Sequence, residues 1–277
     1  MVSIWTILAL VFSLLACFAF PIILCIVFIR KTHPGIKPLL VGIGVFIVFV
    51  AMEGIVNYTF FNLIPATKSL LTGNAWILAV YGGLAAGIFE ETGRLAGFSL
   101  LLKKKREWKH GVTYGIGHGG IEALLVSSSA LNCLIYAVMI NTGTFDAILQ
   151  SIPAAYSSQA DSLLTVRNSL LSDPAWTFAV IGTERICAVT VQIALSILVL
   201  YAVSRKKYIY WGLAILLHAA LDFPAGLYQG GVLPLPAVEG IVAVFAAAAL
   251  IFILKSKKLF AAESAPVPSP AGGETRE

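Results

Sequence analysis

Long apolar runs alternate with short polar connectors along almost the whole chain. Seven runs stand out, at roughly 3–29, 39–57, 76–102, 112–140, 176–203, 208–228 and 236–254, and each meets the about 20 residues a helix needs to cross a bilayer. The pattern predicts an all-α, polytopic membrane helix bundle of about seven spans. Three runs are broken by ionisable residues at helical spacing: Glu90, Glu91 and Arg94; His118 and Glu122; His218 and Asp222. Each such side chain costs roughly 2.5–3.5 kcal/mol at bilayer depth on insertion scales, so these residues are expected to face one another or a wet cavity rather than lipid.

The connectors sort by charge. Arg30, Lys31 and Lys37 follow the first run; Lys103, Lys104, Lys105, Arg106 and Lys109 follow the third. Arg205, Lys206 and Lys207 follow the fifth, and Lys255, Lys257 and Lys258 the seventh. Together these hold fourteen of the nineteen basic residues. The positive-inside rule then places the N-terminus outside and the C-terminus in the cytosol, which requires an odd number of spans. The formal net charge of +5 marks topology, not a nucleic-acid surface. Only 12% of the 277 residues are charged and 58% are hydrophobic, where a soluble chain would carry about 25% charged residues. The first run lacks a basic n-region and is longer than a signal peptide's apolar stretch, so it reads as a retained helix. Cys17, Cys25, Cys133 and Cys187 lie in apolar runs without a CxxC pair and read as small buried hydrophobes.

No internal repeat is evident, which weighs against an inverted-repeat transporter. Residues 1–258 are expected to form one transmembrane domain. Within it, an external segment at 141–175 carries Leu163, Leu164, Leu170 and Leu171 at the spacing of an amphipathic helix. Residues 259–277 have the composition of a disordered cytosolic tail.

Depth brings the polar groups together. At 1.5 Å per residue, Glu90 lies about 18 Å and His218 about 15 Å from the basic ends of their runs, and His118 and Glu122 about 9 and 15 Å. Residues four apart share a helix face, so His118 with Glu122, His218 with Asp222, and Glu90 with Arg94 each address one partner surface. Glu91 points about 100° away from Glu90 but sits three residues before Arg94 and can share its guanidinium. Gly82, Gly83, Gly87, Gly115, Gly117, Gly119 and Gly120 cluster at the same places. They suit close helix packing, or room for water or an extended peptide. Two histidines and carboxylates from separate helices can hold a divalent metal with an open position for water. Alternatively, Glu90 and His118 polarise water without metal while His218 donates to the oxyanion. No HExxH motif is present. Glu184 and Arg185 read as a structural pair seeking opposite charges on neighbouring helices, and Glu53 and Glu239 as isolated polar residues.

Phe-Glu-Glu-Thr-Gly-Arg at 89–94, Gly-Ile-Gly-His-Gly-Gly-Ile-Glu-Ala at 115–123 and His-Ala-Ala-Leu-Asp at 218–222 resemble the YhfC family of bacterial intramembrane metalloproteases. The resemblance covers most of the seven-span core and includes Glu184-Arg185. More distantly the pattern is similar to the CAAX prenyl endopeptidase and bacteriocin-processing superfamily and to PrsW-type proteases. It implies that Glu90 or Glu91 is the catalytic base, that His118 and His218 are catalytic, and that His118, Glu122, His218 and Asp222 supply metal ligands. Arg94, Glu184 and Arg185 would orient the site. Two residues separate Glu91 from Arg94 where the prenyl endopeptidases have three, which turns the basic group by about 100°.

The expectation is a multi-pass peptidase of the bacterial plasma membrane acting on a peptide or membrane-protein substrate, with Zn2+ or no cofactor. Its partners would be membrane lipids and that substrate, with no nucleic acid. The alternatives are a transporter or channel that uses the same polar core, and a non-catalytic membrane scaffold or immunity-type protein with a protease-like fold.

Overall fold

A computed structural model describes residues 1–153 and 156–261. The elements are α1 (Ile4–Thr32), α2 (Lys37–Tyr58) with a π-helical turn Thr59–Leu63, α3 (Pro65–Gly73), and α4 (Ala75–Ala96) with a π-helical turn Gly97–Leu101. They continue with α5 (Trp108–Thr142), α6 (Phe145–Ser151), α7 (Ser157–Ser172), α8 (Ala175–Arg205), α9 (Ile209–Gln229) and α10 (Leu235–Ala261). No strand occurs among the described residues. Six helices (α1, α2, α5, α8, α9 and α10) are long and apolar enough to cross a membrane. The seventh expected span, α4, joins them when taken with α3, from which it is bent by 111°. The bend is made by Asn74, whose Oδ1 accepts from the amides of Trp76 at 2.9 Å and Ile77 at 3.3 Å. That caps α4 with an amide side chain where its first N–H groups would otherwise lack partners. Of the tail expected over 259–277, residues 259–261 are the last of α10 and the remainder lies outside the described residues.

The centre of the bundle is α8. In its most apolar stretch 72% of residues are buried, against 17–28% in the other spans. It packs on α1, α5, α9 and α10, while α4 lies along α9 and α2, and α5 along α1 and α2. Val191, Ala194, Leu195, Leu198 and Val199 of α8 join Phe98 and Tyr114 in the main apolar cluster. The expected 141–175 segment contains α6 and α7. Leu170 of α7 is buried against a small cluster with Val2, Leu10, Ala137 and Phe178.

Glycine sets the spacing around the polar residues. A Cβ at Gly117 would stand 2.3 Å from the Leu39 carbonyl oxygen, and one at Gly42 2.3 Å from that of Tyr114, so α2 and α5 touch through backbone. Gly83 and Gly87 do the same against α9, and Gly115 and Gly119 against α8. At these positions the glycines serve close packing. Gly82 has nothing within 4 Å. Gly117→Ala is therefore expected to lower stability by about 1–3 kcal/mol, the usual cost of overpacking, while Gly82→Ala leaves the melting temperature in detergent nearly unchanged. Equal melting of the two variants would contradict this packing.

Candidate functional site

The polar residues of α4, α5, α8 and α9 meet in one buried cluster. Glu90 of α4 stands at its middle: its Oε2 lies 2.8 Å from His118 Nε2, 3.9 Å from His218 Nε2 and 3.5 Å from an Arg94 guanidinium nitrogen. The separate faces of Glu90 and Glu91, a consequence of the 100° step, divide their partners. Glu91 is fully buried. Its Oε1 accepts from Arg94 and lies 2.7 Å from His218 Nδ1. A carboxylate at Nδ1 requires the proton there, which leaves Nε2 of a neutral His218 with a free lone pair. That nitrogen lies 3.4 Å from Asp222 Oδ2, one turn along α9.

On α5, His118 is wedged by aromatic rings. Phe46 meets it edge-on with centroids 4.8 Å apart, and Tyr114 stacks at 6.1 Å. Glu122, one turn further, accepts from Arg185 at 2.8 Å, and Arg185 also pairs with its neighbour Glu184. The pairing read for Glu184-Arg185 thus includes a partner on α5.

Gln192 is the residue that charge patterning missed. Its Nε2 donates to Glu122 at 2.6 Å and to Glu90 at 3.2 Å, and its Oε1 accepts from Arg94. A guanidinium can only donate and a carboxylate only accept, so this network fixes the amide's orientation. The available signal was spacing, since Gln192 lies seven residues, two turns, beyond Arg185 on the same face. Glu53 is not isolated either: Asn57 donates to it at 3.1 Å, and Tyr81 donates to Asn57 at 2.6 Å. These bonds form a satellite network between α2 and α4.

A partly enclosed cavity of about 90 Å³ adjoins the cluster, lined by Glu90, Glu122, Gln192, His218 and Asp222 among others. It has room for a few waters. Glu91 and His118 do not line it. Donor atoms of Glu90, His118 and Glu122 lie within 4.8 Å of one another, and among the described residues these form the candidate metal-binding set. The ligands implied by the resemblance were His118, Glu122, His218 and Asp222. Here Glu90 joins the first two, and His218 and Asp222 stand across from Glu90. The donor chemistry fits a divalent cation: two carboxylates and an imidazole suit zinc-type ions. The carboxylates Glu90, Glu91, Glu122, Glu184 and Asp222 also outnumber the guanidiniums of Arg94 and Arg185. Surplus negative charge inside a membrane is costly without a cation.

Fold and centre together define a multi-pass membrane protein built around a buried histidine–carboxylate cluster. The chain belongs to the YhfC intramembrane metalloprotease family, which it matches over residues 16–245. It is 38% identical over 246 residues to the uncharacterized membrane protein YhfC of Bacillus subtilis (strain 168), covering 88% of this chain and 93% of that protein. No solved structure matches it.

Proposed function

We propose that this chain is an intramembrane peptidase that hydrolyses peptide bonds of membrane-associated polypeptides at the Glu90–His118–His218 cluster. The observation that carries the reading is the convergence of the three residues, with Glu90 Oε2 2.8 Å from His118 Nε2 and 3.9 Å from His218 Nε2, beside a small cavity lined by carboxylates. Glu90, His118 and Glu122 would hold a divalent metal, with zinc the ion best suited to this donor set. When bound, such an ion supplies Lewis acidity to the scissile carbonyl and to water.

The chain's own residues supply the rest. His218, with Nδ1–H held by Glu91, presents Nε2 to the cavity and takes a proton from the attacking water. It returns that proton to the leaving amine, and Asp222 steadies the imidazolium between the two steps. Glu91 is thereby a positioning residue and not the base, because its near oxygen is already engaged by Arg94 and His218. Arg185 and Gln192 aim Glu122, while Arg94 anchors Glu91 and Gln192. A metal-free variant of the chemistry, with Glu90 as base, is favoured by one contact: the direct 2.8 Å bond between Glu90 and His118.

The test is cleavage of a membrane-inserted peptide in proteoliposomes. His218→Ala protein is expected to insert and fold yet to cleave about 10²–10⁴-fold more slowly, the usual span for loss of a general base. Undiminished cleavage by His218→Ala would overturn the assignment, and transport of a solute by the same vesicles would favour a transporter instead.

A further inference from the structure

A second, larger cavity of about 600 Å³ lies between α5 and α7. Ser129, Asn132 and Tyr136 of α5 and Ser158, Gln159 and Ser162 of α7 supply its polar lining, and no charged side chain lines it among the described residues. The amides of Asn132 and Gln159 and the Tyr136 hydroxyl carry no hydrogen bond among the described residues. Ser129 and Asn132 are exposed although they lie on a membrane-spanning helix. Polar groups exposed there take water or a polar occupant as their hydrogen-bond partner.

The cavity is aligned with the buried centre. At 100° per residue, His118, Glu122, Ser129, Asn132 and Tyr136 fall within about 80° of arc on α5. Leu125 is the apolar residue on that arc between Glu122 and Ser129. Leu131, Ile135 and Val138, on the other side of the helix, are exposed large apolar residues suited to lipid. Ser129 stands about 10 Å and Tyr136 about 21 Å along the axis from Glu122. An extended chain covers that distance in about three to six residues.

We propose that the α5–α7 cavity is a vestibule that holds an extended, unwound polypeptide segment before it reaches the buried centre. The inference rests on the peptidase reading above and names its substrate class. Neutral amides and hydroxyls each offer a donor and an acceptor, which matches the alternating N–H and C=O groups of a peptide backbone. An extended backbone inside a membrane protein must have those groups satisfied, whereas a helix satisfies its own. A helix about 10 Å across would also fill the space within a couple of turns and leave the amides unused. The uncharged lining suits neither a phosphate nor a metal ion. The volume lies within the about 300–1,000 Å³ usual for ligand sites.

Cys133 lines this cavity and provides the probe. With Cys17, Cys25 and Cys187 changed to Ala, the remaining thiol is alkylated by N-ethylmaleimide in nanodiscs. The alkylation is run with and without a synthetic peptide that joins a Leu/Ala membrane helix to an extended Ser/Gly/Ala segment. At about ten times its Kd the peptide should slow alkylation of Cys133 about tenfold, by simple occupancy, and equally in the non-cleaving Glu90→Gln background. Leu163→Trp, which fills the cavity, should remove the protection, while Leu171→Trp on the exposed side of α7 should not. Peptide cleavage by the unmodified protein without protection of Cys133 would overturn the vestibule and leave the peptidase reading standing. Protection without cleavage would do the reverse, and neither effect would end both.

Discussion

His118→Ala protein is expected to insert normally and to lose peptide cleavage by at least about 10³-fold, because one substitution removes a proposed metal ligand and Glu90's nearest partner together. His118 is fully enclosed, and its Nε2 lies 2.8 Å from Glu90. The alanine would leave a void between Phe46 and Tyr114, both of which now pack on the imidazole ring. The chemical and the structural part of the loss are separated by His118→Gln. Glutamine keeps a hydrogen-bonding amide beside Glu90 while being a poor ligand for zinc-type ions. Activity should stay lost in His118→Gln while the melting temperature recovers toward that of the parent. Cleavage by either variant at the parent rate would remove His118 from the chemistry.

The largest stability effect is expected at Arg94. Its guanidinium has no exposure and joins Glu90, Glu91 and Gln192 in one network. Arg94→Leu keeps a comparable apolar stem but takes the guanidinium away from two buried carboxylates and an amide oxygen. Breaking a buried pair from one side costs about 3–5 kcal/mol. Thermal unfolding in detergent should show that loss for Arg94→Leu. Adding Glu91→Leu should restore much of it, since removing both partners is cheaper than stranding one. A single variant as stable as the parent would mean that the carboxylates are not held by this arginine. The double variant should remain inactive, because His218 would have lost the carboxylate that sets its proton.

Much of this architecture was legible because membranes impose simple rules. Run length fixed where helices fall, and the scarcity of intramembrane charge made Glu90, Arg94, His118, Glu122, His218 and Asp222 conspicuous. Their i, i+4 spacing was enough to expect a shared centre, and Glu90 does meet both histidines. Three features were harder to read. Gln192 carries no charge, so nothing set it apart from an apolar run except its two-turn distance from Arg185. The bend before α4 is made by a single Asn74 side chain, and α3, which precedes it, is only nine residues long. The split between Glu90 and Glu91 follows from helix geometry, but the partners did not. Only the packing of α9 on α4, through Gly83 and Gly87, brings His218 to Glu91 while its other nitrogen faces Glu90.

The proposed metal set makes the chain's chemistry depend on one quantity, the amount of bound metal, and elemental analysis of the purified protein reads it directly. The account predicts one divalent ion per chain in the parent, none in His118→Ala, and a retained ion in His218→Ala, whose imidazole acts on water rather than as a ligand. An active parent preparation free of metal, or an undiminished metal content in His118→Ala, would contradict it.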